Sequence, residues 1–348
     1  MKSLLGLLAL MAMPAVNASC LAVDGNERLT NYCLSARSAD AAIPLDLAKV
    51  IDARIKYEGY DDGLGFEQVV APRRFSPLFM PFFEYERNIN GGNPAEPLEL
   101  GNVTLIGDPD LERKDGLVYG AGVGLAGRWL VGEGRYLDYS AIATRREAVD
   151  HNLNIDGRFL SICSKNHIGS WRYIDACARR YGEEKRLSDA EVDRVTVSLS
   201  QMLSSNGRTH HIVSLEPGRI ITDDYRQNQI RASLETVYGN GSMTNISFLY
   251  GEDKDAHVAT RHQARVGYQG WVAGLLVGLT ATRSETNETT FLGYERADRT
   301  DQIMVKFSLS ERVDLELGYT KSDSTINFFD YAGFTGGLSI SPFFLGGD

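Results

Sequence analysis

Beyond its first eighteen residues the chain has no apolar stretch able to cross a membrane as a helix. Such a helix needs about 18 or more apolar residues. The longest run, WVAGLLVGL at 271–279, is about half of that and holds two glycines. A basic excess is missing as well: Lys and Arg number 36 against 46 Asp and Glu, for a net charge of −10. With no surplus cations to neutralise phosphates, this is not the composition of an unaided nucleic-acid binder. Local catalytic signatures are absent too, since neither Gly-x-Ser-x-Gly nor His-Glu-x-x-His occurs. Apolar residues are not in short supply. They make up 43% of the 348 residues, too many for a disordered chain.

The first eighteen residues have the layout of a secretory leader. Lys2 precedes an apolar run over 4–13, and Val16-Asn17-Ala18 presents small residues where a signal peptidase cuts. We expect residues 1–18 to be a cleaved signal peptide, 19–47 a short periplasmic segment, and 48–348 the folded body. Lipid attachment at Cys20 is disfavoured by Asn17, which stands where a lipoprotein signal usually has an aliphatic residue. Export changes how the cysteines read. Four are present, and an oxidising compartment favours pairing. Proximity suggests Cys20–Cys33 and Cys163–Cys177, separated by 13 and 14 residues. Each bridge is expected to contribute about 3 kcal/mol by loop closure. The competing metal-site reading lacks the short ligand gap of zinc motifs.

From about residue 48 onward one theme repeats: segments of roughly ten residues alternate apolar and polar, with turn or charge clusters between them. Ile51, Ala53, Ile55 and Tyr57 interleave with Asp52, Arg54, Lys56 and Glu58. Val195, Val197 and Leu199 interleave with Thr196, Ser198 and Ser200. The same holds for Ile303, Val305 and Phe307, and for Val313, Leu315, Leu317 and Tyr319. Successive side chains of a strand point to opposite faces, so each segment is apolar on one face and polar on the other. Helical periodicity is missing except in short pieces at 45–50 and 187–192.

Three features favour a barrel in lipid over a soluble sandwich. The chain is exported. The segments 117–130, 136–147, 192–202, 227–238 and 302–309 are long, as a tilted strand that spans a bilayer in about 9–11 residues must be. Aromatic residues also stand near segment ends, at Tyr57, Tyr85, Trp129, Tyr136, Trp171, Tyr238, Tyr250, Trp271, Tyr294 and Tyr319, where interfacial girdles fall. We expect an all-β, closed antiparallel transmembrane barrel of about 14 strands, with 16 the alternative. The first strand, near Ile51, is expected to pair with the last, near Leu338. Residues 88–96 and 180–190 are expected to be external loops. The partners expected are outer-membrane lipid and no nucleic acid, with the barrel a monomer.

The C-terminal third is similar to one known family. It carries FLGYERADR at 291–299, an alternating strand, and then SDSTINFFDY at 322–331 ahead of the last strand. With the earlier GLVYGAGVGLAGRWLVGEGRYLDY at 116–139, this resembles the barrel of the surface lipoprotein assembly modifiers. The resemblance implies a fourteen-stranded outer-membrane barrel of a Gram-negative cell that helps translocate or display surface lipoproteins, with such a lipoprotein as its client. The alternative is a passive pore or structural barrel with no client.

Catalytic residues, a cofactor and a metal are not expected. His210 and His211 are adjacent, so on a strand they point to opposite faces and cannot share an ion without a bulge. Asp52, Arg54, Lys56, Glu58, Asp314 and Glu316 are expected to face the lumen as a charge network. That network is either a structural plug of ion pairs or an ion-selective constriction. Arg296, Asp298, Arg299 and Asp301 form a charge cluster expected in a solvated loop. Gly120, Gly122, Gly124 and Gly127 are followed by no helix. They suit close backbone packing or a lumen groove better than a nucleotide loop.

Overall fold

The computed structural model describes Arg28 and residues 76–344, apart from 95–96, 101–102, 133, 206–208, 255–256, 311–312 and 341–342. The chain begins its sheet with β1 (Ser76–Glu86) and continues into a small hairpin, β2 (Leu98–Leu100) and β3 (Val103–Leu105). Long strands follow in unbroken succession: β4 (Gly116–Gly132), β5 (Arg135–Ala148), β6 (Asn154–His167), β7 (Arg172–Lys185) and β8 (Ser188–Ser205). Then come β9 (Thr209–Thr222), β10 (Arg226–Val237), β11 (Met243–Gly251), β12 (Thr260–Val272) and β13 (Leu275–Thr286). A second small hairpin, β14 (Thr289–Phe291) and β15 (Tyr294–Arg296), precedes β16 (Asp298–Ser308), β17 (Val313–Ser324), β18 (Tyr331–Ile340) and the two-residue β19 (Phe343–Phe344).

Neighbouring long strands pair antiparallel in chain order, and the ring closes where β1 meets β18 through Phe83↔Leu338 and Glu84↔Gly337. The result is an all-β, closed, antiparallel barrel of 14 long strands. The closing strand differs from the one the sequence suggested. Ser76–Glu86 lies between β18 and β4 and occupies the seam assigned above to the Ile51 segment. Residues 48–75 lie outside the described residues, as do the leader, Cys20 and Cys33.

Two smaller expectations are also corrected. Residues 180–190 are not an external loop: β7 runs to Lys185 and β8 starts at Ser188. Nor do 187–192 form a helix. Their charges read as loop-like in the sequence, but they alternate between the faces and pair across strands, as Arg180 does with Asp193 at 2.6 Å. Residues 88–94 do lie in a loop.

The barrel has two unlike ends. Strands joined at one end have brief turns, such as 273–274 between β12 and β13. At the other end lie 87–115, 252–259, 287–297 and 325–330, which carry both small hairpins. Ile89, Val118, Ala148, Leu153 and Ile155 pack together at this long-loop end. Leu98 and Ile326 form a second cluster there with Phe291, Phe328 and Phe329.

Much of the apolar side-chain surface of the wall strands faces outward. Outward-facing Val195, Val197 and Leu199 are 49%, 43% and 48% exposed, and Ile303, Leu317, Phe334 and Leu338 repeat this around the ring. A continuous apolar exterior of this extent belongs against lipid. Trp129, Trp171 and Tyr238 edge it at the short-turn end, with Tyr85, Tyr119 and Tyr250 at the long-loop end. Tyr136 does not join either girdle, because it turns inward and is buried beneath Arg128.

Candidate functional site: the barrel lumen

Strand parity fixes what faces the lumen. On β8 the odd positions from 191 to 203 face out, so Arg194, Thr196, Ser198 and Ser200 face in. The same parity turns Glu84 and Glu86 of β1, Arg128 of β4, Asp138 and Arg146 of β5, and Asp175, Arg179 and Glu183 of β7 inward. Placing these charges inside avoids a cost of about 2–4 kcal/mol for a basic group in lipid near the midplane.

One half of the lumen is filled by ion pairs. Near the long loops Arg146 bonds Glu84 at 2.6 Å and Glu183 at 2.7 Å, while Lys185 meets Glu86 and Glu183, each at 3.2 Å. These groups come from β1, β5 and β7, and small residues lie between them. Gly120 of β4 stands opposite Arg146, and Gly157 of β6 stands opposite Glu183. A side chain at Gly120 has no room, since its Cβ would lie 2.0 Å from the Arg145 carbonyl oxygen. Gly120, Gly122 and Gly124 thus line the lumen with close backbone packing, whereas Gly127 faces outward.

Near the short turns Arg128 makes a two-armed contact with Asp138 at 2.6 and 3.0 Å and lies 3.8 Å over the Tyr136 ring. Arg28, from far upstream, enters the same region. It bonds Asp175 at 2.8 Å and stacks 3.9 Å over Tyr173. Lys165 adds a second cation to Asp175 at 3.2 Å. The Cys163–Cys177 disulfide joins residues directly opposite one another on β6 and β7, with Nη2 of Arg179 3.9 and 3.8 Å from its sulfurs.

Among the described residues, the side opposite these ion pairs holds open space. A cavity of about 1230 Å³ runs along β10–β13, β16 and β17, and its lining mixes polar side chains such as Gln263, Arg265, Thr282 and Gln302 with apolar ones such as Met243 and Met304. Asp314 and Glu316 face into it. Their partner is Lys306, at 2.8 and 3.9 Å. The other expected members of that network, Asp52, Arg54, Lys56 and Glu58, lie outside the described residues.

The 296–301 cluster is not one loop. Asp298, Arg299 and Asp301 belong to β16 and continue its alternation. Arg296 pairs with Asp298 at 2.7 Å and lies 3.4 Å over Phe329. Asp301 faces outward, 2.6 Å from Arg283 and 3.5 Å from Arg299. His210 and His211 point to opposite faces as expected, with His211 Nδ1 2.8 Å from the Thr236 hydroxyl on the outer side. Among the described residues no three ligating side chains gather in a metal-binding group.

Sequence reading missed Arg28, Asp175, the Arg146 cluster and the inward arginines Arg179, Arg194, Arg231 and Arg265. For the strand residues the signal was present, because each shares the parity of the polar face.

No family model matches the chain, and no curated protein sequence matches it. Among solved structures it is similar to OprB of Pseudomonas putida, at 8% identity and a TM-score of 0.44, covering 77% of this chain and 94% of that one. It is also similar to the outer membrane protein OprD of Pseudomonas aeruginosa, at 5% identity and a TM-score of 0.41, covering 78% and 94%. OccAB4 of Acinetobacter baumannii gives 6% identity and a TM-score of 0.40, covering 77% and 97%.

Proposed function

We propose that this chain is a monomeric, non-enzymatic diffusion channel of the outer membrane, admitting small polar solutes. The observation that carries the reading is the lumen cavity: about 1230 Å³ into which amide, hydroxyl and charged groups project, inside an apolar exterior. Water fills such a space and lipid surrounds such a wall. The short turns then face the periplasm and the long loops the cell surface. Reconstitution in planar bilayers tests it. Discrete conductance steps are expected, and an electrically silent barrel would overturn the channel.

A second reading, assistance in displaying surface lipoproteins, has one supporting feature beyond the sequence resemblance. The two loops that carry the resemblance are coupled. The Thr325 hydroxyl donates to the Glu295 carbonyl and accepts from the Ala297 amide, and Phe291 meets Phe329 edge-on. An ordered loop pair of this kind suits a protein client. Lipoprotein exposure on cells with and without the gene tests this reading, and unchanged exposure would remove it.

A further inference from the structure

Along one wall of the lumen, a row of hydroxyls leads to a guanidinium group, and further guanidinium groups stand on the same wall toward the long loops. Ser200 of β8, Ser214 of β9, Ser233 of β10 and Ser247 of β11 stand directly opposite one another in turn, and the row ends on Arg265 of β12. Ser200 and Ser214 are 2.9 Å apart. Arg231 stands two residues from Ser233 on β10, and Arg179 and Arg194 stand six residues from the level of the row, toward the long loops. Arg179 and Arg194 are direct cross-strand partners, and Arg231 lies within electrostatic reach of Arg179, Arg194 and Arg265. Like charges set opposite one another destabilise a sheet. The carboxylates on the same wall are fewer. Glu216 is held by Arg194 at 3.1 Å, and Glu235 stands on β10. Among the described residues, Arg179, Arg231 and Arg265 have no carboxylate within ion-pair distance.

We propose that this wall carries a binding strip for small oxyanions, phosphate or carboxylate, that pass through the lumen. Guanidinium groups are planar donors matched to such anions. The serine hydroxyls are small enough to leave space, and each donates one hydrogen bond in place of a water of hydration. A bound anion also relieves the repulsion among the arginines. Lys306 on β16, two strands from Arg265 in the same cavity, does not compete, because it is taken by Asp314 and Glu316.

The proposal rests on the channel reading, and its test separates the two. In planar bilayers under a KCl gradient, the reversal potential of the native barrel lies on the chloride side. In Arg231→Gln/Arg265→Gln it moves toward or past zero. Inorganic phosphate lowers the chloride current of the native barrel, and the variant needs at least tenfold more for the same effect. Acetate as a second probe separates carboxylate from phosphate binding. Conductance steps with an unchanged reversal potential and unchanged phosphate sensitivity would overturn the strip while leaving the channel intact. If the barrel is silent, the channel reading fails, and equilibrium dialysis of labelled phosphate against the detergent-purified protein decides the strip. Binding by the native chain and not by the variant supports it, and no binding by the native chain overturns it. Heat-modifiable migration in gels checks folding. Arg265→Gln alone, at an exposed lumen position, gives a smaller shift of the same sign should the double variant not fold.

Discussion

Arg28 and Asp175, 147 residues apart in sequence, meet inside the barrel at 2.8 Å with both side chains 9% exposed. The contact brings a residue from before the first strand into the lumen. It also places Asp175 between two cations, Arg28 and Lys165. Removing one partner of a buried ion pair costs about 3–5 kcal/mol. Asp175→Ala is therefore expected to lower the urea midpoint of the refolded barrel strongly. Arg28→Gln, which leaves Lys165 to neutralise Asp175, is expected to cost less. A double-mutant cycle between Arg28 and Asp175 that gives no coupling would show the contact to be energetically idle.

The Cys163–Cys177 bridge clips the β6–β7 hairpin across 14 residues. Closing a loop of this size is worth about 3 kcal/mol if the unfolded chain is otherwise unconstrained. The Cys163→Ser/Cys177→Ser variant is expected to fold into the same barrel with a lower urea midpoint. Reducing agent should lower the native midpoint by a similar amount and leave the variant unchanged.

The glycines facing the lumen divide by the space beside them. A Cβ at Gly122 would meet Met80 at 3.0 Å, Thr144 at 3.1 Å and Phe82 at 3.3 Å, whereas at Gly267 the nearest atom is 3.7 Å away. Gly122→Val is expected to cost about 1–3 kcal/mol through overpacking. Gly267→Ala is expected to leave stability within error. Equal effects at the two positions, read from unfolding midpoints, would refute the packing account.

Much of this architecture was legible from alternation alone. Val195, Val197 and Leu199 predicted an outward face, and Asp314 and Glu316 an inward one, because a strand has a fixed period of two. The closing strand was not legible. Ser76–Glu86 reads SPLFMPFFEYE, with prolines at 77 and 81 and apolar residues on both faces. Leu78, Met80 and Phe82 lie against the glycine stripe of β4 rather than water, so no polar face is required. The 51–58 segment shows cleaner alternation and drew the assignment. The Arg28–Asp175 contact was illegible for another reason: no local pattern reports which strand will meet a residue 147 positions away.

Glu252, in the loop after β11, is held below the ordinary glutamate range, chiefly by its hydrogen bond from Lys254 and then by the Asn228 amide. A carboxylate with a depressed folded value contributes stability above its unfolded value, and that contribution is lost as pH falls through the folded one. An NMR titration is expected to place the Glu252 midpoint below that of a free glutamate. Lys254→Met should raise the midpoint toward the free value, and no movement would remove the assigned cause.

The claim that lipid lies outside and water inside is tested most directly at two adjacent residues. Val197 and Ser198 are neighbours on β8, in the same hydrogen-bonded stretch, and differ in which side of the wall they face. Val197 lies within the apolar band, between Val195 and Leu199, while Ser198 borders the lumen. An arginine pointing into hydrocarbon near the midplane costs about 2–4 kcal/mol. One pointing into a wet lumen costs little beyond its steric fit. Val197→Arg is therefore expected to destabilise the barrel in lipid vesicles by several-fold more than Ser198→Arg. In detergent micelles, which deform around a charge, the difference should shrink. Equal tolerance in vesicles, or the reverse order, would mean that the apolar flank presses against protein rather than lipid.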